Sequence, residues 1–520
     1  MSRAAEEHRE AEGRHEVEVR RGSYYDSVSL MQVSRTVAGV EGVAAALVAM
    51  ATELNLDLLT GMGFTPPADA SPNDLVLAVR AEDDAALERA RAAADATLAS
   101  IGRGGGGAGG GASLSAGELP PRTIAAAARR GTAGTAGTAG VAVISVPGQH
   151  AFVEAMDALE AGLSVLLFSD NVPVEQEIRL KEEAARRDLL VMGPDCGTAV
   201  VSGVGLGFAN VVRPGPVGLV AASGTGAQQL LCLLDAAGVG VTHCLGVGGR
   251  DLSAAVAGRS TMQSMAALDQ DPGTEVIVVV SKPPAEQIAR HVTAWAAELS
   301  TPVIWALLGR DAPDLTACAR QVVEAVGASW TAPRWWPAPA ERTGTYPSIR
   351  GLFSGGTLCD EAMVVASAAL GPVWSNIALE PDWMLGADLR HDGHVMIDFG
   401  DDALTQGGLH PMIDQRSRLD RIAVEAADPT AGVLLLDVVL GHGAHPDPAA
   451  ELGPALAAAH ATAASDGRDL AVVISLSGTE SDPQGLIRQA EALRDVGASV
   501  HLSNATAARK AVELVSEATP

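Results

Sequence analysis

From Val141 onward the chain repeats one pattern: a short run apolar at nearly every position, a turn of glycine and small polar residues, then a helix with an apolar face. VAVISVP, SVLLFSD, VGLVAA, EVIVVVSK, HVMIDFG, GVLLLDVVLG and AVVISLSG are such runs. A strand that is apolar on both sides needs both faces covered, and helices between successive strands make the sheet parallel. The pattern predicts α/β architecture, with parallel-sheet domains of Rossmann and flavodoxin type behind a small N-terminal α/β domain. Ligands of such sheets bind beyond the carboxyl ends of the strands, so the glycine turns are where chemistry is expected.

At 520 residues the chain is expected to form roughly three or four domains. Residues 1–15, charged throughout, are expected to be disordered. Residues 16–100 alternate strand and helix patterns and form the small domain, and the glycine-rich residues 101–112 form a linker. A Rossmann domain over 113–212 follows, with the GTAGTAGTAG repeat as a loop before its first strand. A flavodoxin-like domain spans 213–330, the Trp- and Pro-rich 331–349 reads as a connector, and a second flavodoxin-like domain spans 350–520.

With 63 acidic against 36 basic residues the formal charge is −27, which argues against nucleic acid or an anionic membrane as partner. Cys196, Cys232, Cys244, Cys318 and Cys359 are an odd number without CxxC spacing, as reduced thiols of a cytoplasmic protein would be. The start of the chain lacks the apolar core of a signal peptide. The charge-poor Pro214–Asp235 stretch is broken by a glycine turn, so it reads as strand and helix rather than a membrane span.

In VGLVAASGTGAQQLL, Val217 to Leu231, a strand runs through Ser223-Gly224-Thr225-Gly226 into a helix. A helix start leaves backbone N–H groups unpaired and carries roughly half a positive charge, so small residues there admit phosphate or carboxylate. Such turns also serve packing alone. Further candidates end other strands: Asn171, Asp195, Gly248-Gly249-Arg250 and Lys282, with Gly441-His442-Gly443-Ala444-His445 in the last domain.

In order and spacing, the turns over residues 141–310 resemble those of the succinyl-CoA synthetase α subunit. Across nearly the whole chain YYDSVSLM, FSDNVP, MGPDCGTA, ASGTG, GGRDLS, SKPP, LHPMID and SLSGTESDPQ resemble the FdrA family of acyl-CoA synthetase relatives. The resemblance implies fused α-like and β-C-terminal-like halves whose paired helix N-termini hold a phosphoryl group, at Ser223–Gly226 and at Gly441–His445. Two features of the synthetase are missing. PVIWALLGRDAPDLTACARQ has no histidine where the synthetase carries its phosphohistidine, and no room precedes the α-like unit for an ATP-grasp domain. The resemblance therefore points to a catabolic carbamoyltransferase subunit like that of oxamate carbamoyltransferase, with phosphate or carbamoyl phosphate as substrate and one or two further protein subunits. The alternatives are an acyl-CoA ligase, with CoA bound and nucleotide chemistry supplied by a partner, and a non-catalytic scaffold.

Arg250 is expected to clamp phosphate or a carboxylate, or else to pair with a nearby acid. Lys282 follows a buried strand and is placed near the cleft. His442 and His445 are candidates to protonate or position a leaving phosphate, or to cap a helix. His410 shapes its turn or serves the site. Cys196 reads as a buried thiol rather than a nucleophile. Asp26 and Ser27 open a helix, as caps or as a subunit contact. His391, Asp392, His394 and Asp398 fall across a loop and a strand, and no metal site is expected from them.

Overall fold

The computed structural model describes residues 14–516 except 24, 26, 68–69, 73, 105–122, 132–139, 341–345 and 406–408. It divides into two compact units, residues 1–121 and 122–520. Asp26 and most of both glycine-rich stretches lie outside the described residues.

The first unit runs β1 (Arg14–Arg20), α1 (Ser27–Ala38), β2 (Val43–Met50), α2 (Glu53–Gly61), β3 (Leu75–Ala81), α3 (Asp84–Gly104). Its sheet is antiparallel, in the order β1-β3-β2. Leu75, Leu77 and Val79 pack under α1 and α3, while Val76 and Ala78 pack with Leu59 and Phe64 on the other face. Arg14 and His15, placed by sequence in a disordered lead, begin β1: Val17 and Val19 reach the α2 side, and Glu16 and Glu18 pair with Arg91 of α3. The helix α3 likewise continues past the expected linker start, to Gly104.

The second unit begins with α4 (Ile124–Gly131), β4 (Val141–Ile144), α5 (Gly148–Glu160), β5 (Ser164–Leu167), α6 (Val174–Arg186) and β6 (Val191–Met192). β4, β5 and β6 form a parallel sheet. Next come β7 (Thr198–Val201), β8 (Val204–Gly207), β9 (Pro214–Ala221), α7 (Gly224–Ala236), β10 (Val241–Gly246), α8 (Arg259–Gln270), β11 (Val276–Ser281), α9 (Glu286–Ala296), β12 (Val303–Leu307) and α10 (Leu315–Ala325). The second sheet has the order β12-β11-β9-β10-β7-β8. It reaches back across Arg213 because Ser202 and Gly203, both at positive φ (50° and 80°), turn β7 tightly into β8, and β7 then pairs antiparallel with β10.

The third sheet is built from β13 (Trp335–Trp336), β14 (Ile349–Phe353), α11 (Gly356–Leu370), β15 (Val373–Ser375), β16 (His394–Asp398), α12 (Asp402–Thr405), α13 (Arg416–Ala427), β17 (Val433–Val439), α14 (Pro448–Ser465), β18 (Ala471–Ser477), α15 (Leu486–Asp495), β19 (Ala498–His501) and α16 (Asn504–Ser516). Its order is β13-β19-β18-β17-β14-β16-β15. The expected connector thus contributes an edge strand, fixed by Trp335 stacking on His501 at 5.5 Å and by burial of Trp336.

The two larger sheets meet through their helices. α7 packs on α10 and on α11, and α11 packs on α16. α7 is buried from Gly226 to Leu234, Gln228 and Gln229 included. Gln229 donates to the Leu502 carbonyl (2.9 Å) and accepts from the Asn504 amide (3.1 Å), so its burial leaves the amide satisfied. On the other face of the third sheet, α13, α14 and α15 cover Leu434, Leu436 and Val438.

Candidate functional site

Two strands, one from each larger sheet, end in small residues and run straight into a helix. After β9, extended Ser223 caps α7, its Oγ accepting from the Gly226 amide at 3.0 Å. After β14, Ser354-Gly355 opens α11, held by buried Asp437, which accepts from the Ser354 amide (2.7 Å) and hydroxyl (2.9 Å) and from the Gly355 amide (2.9 Å). The two helix starts touch. Ser223 Oγ lies 2.5 Å from Thr357 Oγ1. A Cβ on Gly355 would lie 2.7 Å from Thr225 Cγ2, and one on Gly226 would lie 2.9 Å from Thr357 Cγ2. Close approach, rather than backbone conformation, is what demands glycine at these two positions.

Two positive helix ends in contact call for negative charge. Beside the start of α11 stand Lys282, Asp360 and Asp398, with Asp195 near enough for its charge to act on Lys282. A Cβ on Gly356, the first residue of α11, would lie 2.6 Å from Asp398 Oδ2 and 2.8 Å from Lys282 Nζ, and Lys282 Nζ is 3.8 Å from Asp360. Burial works against the Lys282 charge, but Asp360, Asp398 and Asp195 outweigh it and hold the ammonium above its usual range. Burial pushes Asp398 up to about 7 and Asp360 to about 6, each opposed by Lys282. Asp195, exposed on its turn, is raised to about 7 by the protein around it and by the charges of Asp402 and Asp170. One firm cation beside carboxyls that titrate near neutrality can hold an oxyanion and exchange a proton with it.

Of the residues singled out by sequence, Ser223, Gly224, Thr225, Gly226, Lys282 and Asp195 converge here. Gly441-His442-Gly443-His445 does not form the second helix end. That role falls to Gly355-Gly356-Thr357, because α11 lies on the side of the sheet that meets α7, whereas α14, which follows the Gly441 turn, packs with α13 and α15. The Gly441 turn instead pairs with the segment before β9: His442 and Ala209 exchange backbone hydrogen bonds of 2.8 and 3.2 Å, and Asn210 donates to the Leu440 carbonyl at 2.9 Å and to Asp482 at 2.7 Å. His442 is exposed. Buried His445 accepts from the Asp447 amide at 2.9 Å and sits 3.0 Å from Glu451, which shapes the entry to α14.

Arg250 pairs with Glu177 at 3.0 Å and donates to the Val172 carbonyl at 2.8 Å. A Cβ on Gly248 would lie 2.4 Å from the Pro194 carbonyl, while Gly249 faces open space. Asn171, in the left-handed region at φ 52°, lies over the start of α5, where a Cβ on Gly148 would strike it. His410, half-buried, lies 5.8 Å from the Phe208 ring and is pushed down to about 4 by desolvation and by Arg418. Burial drives the Cys196 thiol up to about 12. His391 stacks on Trp374 and the His394 ring accepts from the Ile349 amide, away from the groups beside Asp398. Among the described residues no group of three potential ligands could hold a metal ion, and no helix is long and apolar enough to cross a membrane.

Sequence reasoning passed over Asp360 and Thr357, and weighed Asp398 only as a metal ligand. GLFSGGTL carried the signal, since it repeats the strand, small-residue turn and helix of LVAASGTG.

Comparison with known proteins follows this division. Residues 13–113 match the family model described as AllF, heavy metal-associated domain, and residues 352–514 match the CoA-ligase model. The first span holds no cysteine and a single histidine, His15, so it offers no thiolate to a soft metal ion. The Escherichia coli protein YahF, itself described as uncharacterized, is 36% identical over 502 residues, covering 92% of this chain and 94% of that protein. The α subunit of malate–CoA ligase from Methylorubrum extorquens is 29% identical over 167 residues, 30% of this chain. The match spans 55% of that subunit's length. The dinucleotide-forming acetyl-coenzyme A synthetase 1 of Ca. Korarchaeum cryptofilum, solved with phosphate and ADP, aligns at TM-score 0.29 and 14% identity over 78% of this chain and 89% of its own.

Proposed function

The chain belongs to the same family as Escherichia coli YahF, and from that premise we propose that it is an FdrA-like protein of acyl-CoA ligase type, which binds a phosphate or acyl phosphate at the joined N-termini of α7 and α11. The observation that carries this reading is the meeting of Ser223–Gly226 with Gly355–Thr357 beside Lys282. The CoA-ligase match over residues 352–514 and the likeness of a central stretch to a malate–CoA ligase α subunit support it. The helix ends and Lys282 hold the phosphoryl oxygens, Asp195 exchanges a proton with the substrate, and a further subunit provides nucleotide chemistry. Carbamoyl transfer is the second reading. It is favoured by the stretch from Pro302 to Gln321, β12 and the segment after it, which has no histidine to carry phosphate.

Heat stability of the purified chain tests both. A ligand at about 100 times its dissociation constant adds roughly 2.7 kcal/mol, so phosphate, acetyl phosphate, carbamoyl phosphate, CoA and acetyl-CoA are compared in parallel. Stabilisation by CoA together with acetyl phosphate is expected. Response to carbamoyl phosphate without any to CoA would transfer the assignment to carbamoyl transfer. Thr225→Asp, which sets a negative charge at both helix ends, is expected to remove the phosphate response in either case.

A further inference from the structure

Resting on the reading of the joined helix ends as an acyl-phosphate site, we propose that Asp398 is its phosphoryl acceptor, filling the role for which the loop after β12 offers no histidine. Asp398 ends β16 and is 4% exposed. Its backbone is clamped to Asn376 through two hydrogen bonds of 2.9 Å, and its Oδ1 accepts from the Gly400 amide at 2.9 Å. These contacts fix one oxygen and leave the other. No hydrogen bond reaches Oδ2 among the described residues, and it points at Gly356 on the first turn of α11, where the Lys282 ammonium also presses.

An unsatisfied hydroxyl faces the partner helix. Thr198 is 2% exposed, its Oγ1 has no hydrogen-bond partner, and it lies 3.4 Å from where a Cβ of Gly224 would stand, at the start of α7. A fixed carboxylate, a cation and two helix ends aimed at one place are the parts an in-line phosphoryl transfer needs. Oδ2 attacks phosphorus of the acyl phosphate. The bond from phosphorus to the acyl oxygen breaks, its electron pair leaves with the carboxylate product, and an aspartyl phosphate remains. The attacking form is the ionised carboxylate, so the transfer itself moves no proton, and no further reactant is consumed.

The full chain, incubated with acetyl phosphate, is expected to gain one phosphoryl group. Borohydride reduction, which converts an aspartyl phosphate to homoserine, should place it at residue 398 by peptide mass. Asp398→Asn should abolish the gain while keeping heat stabilisation by acetyl phosphate, and the mapping on the unaltered chain decides the matter should that variant fail to fold. Stabilisation by acetyl phosphate with no phosphoryl gain, or gain at another residue, overturns the assignment and leaves the ligase reading standing. Absence of both stabilisation and labelling overturns the two together.

Discussion

At the scale of single residues, the site depends on the missing side chains of Gly226 and Gly355. Each lets a threonine of the opposite helix close in, Thr357 over Gly226 and Thr225 over Gly355. Gly355→Ala would force its methyl to within 2.8 Å of three Thr225 side-chain atoms. Overpacking of this kind costs about 1–3 kcal/mol, and relief requires the helix ends to separate. The expected result is a lower unfolding midpoint and a weakened response to phosphate, read in one thermal titration. Gly249→Ala is the contrast: its Cβ meets nothing within 4 Å, so both quantities should stay where they are. Sequence located the Ser223 turn correctly as a helix start but gave no measure of how close another backbone comes. Spacing along a chain does not encode that distance.

At the scale of elements, the turn ending in Asp251 is fixed from below by a lysine that sequence reading did not single out. Lys181, on α6 and fully buried, donates to Glu177 at 2.8 Å, Asp251 at 2.7 Å and the Val247 carbonyl at 3.0 Å. Asp251 in turn accepts from the Ser260 and Thr261 amides at the start of α8. In a helix reading VEQEIRLKEEAAR a lysine four residues after a glutamate looks like a surface pair, and only the tertiary fold buries it. Removing one member of such a cluster leaves uncompensated charge at a cost of about 3–5 kcal/mol. Lys181→Met should therefore lower the denaturant midpoint sharply, and a change below about 1 kcal/mol would mean that water enters the cluster. The alternation of strands and helices was legible because burial on both faces leaves a continuous apolar run. The choice of helix opposite Ser223 was not. β14 and β17 are neighbours and both end in glycine turns, and which of their helices faces α7 depends on the side of the sheet to which each crossover passes.

At the scale of the whole molecule, the two large sheets are joined through a seam that contains ionisable groups. Glu361 of α11 accepts from the Leu315 amide of α10 and from Asn504 of α16, both at 2.7 Å, and burial raises it to about 7. Asp398 reaches the same range. A carboxyl raised on folding holds its proton in the native state after the unfolded chain has released it, so its contribution to stability is complete at low pH and is lost as pH rises through the folded value. His410 and His501, pushed by burial to about 4, work the other way: the unfolded chain binds their protons first, and stability rises with pH up to the ordinary histidine range near 6.5. Below about pH 6.5 the two trends oppose each other, and above it only the carboxyls still titrate. The unfolding midpoint is therefore expected to fall between about pH 6.5 and pH 8, with Glu361→Gln removing part of the slope because the amide cannot ionise. A midpoint that holds level across that interval would show that these carboxyls are already charged in the folded protein. The seam would then be held by ion pairs rather than by buried neutral acids.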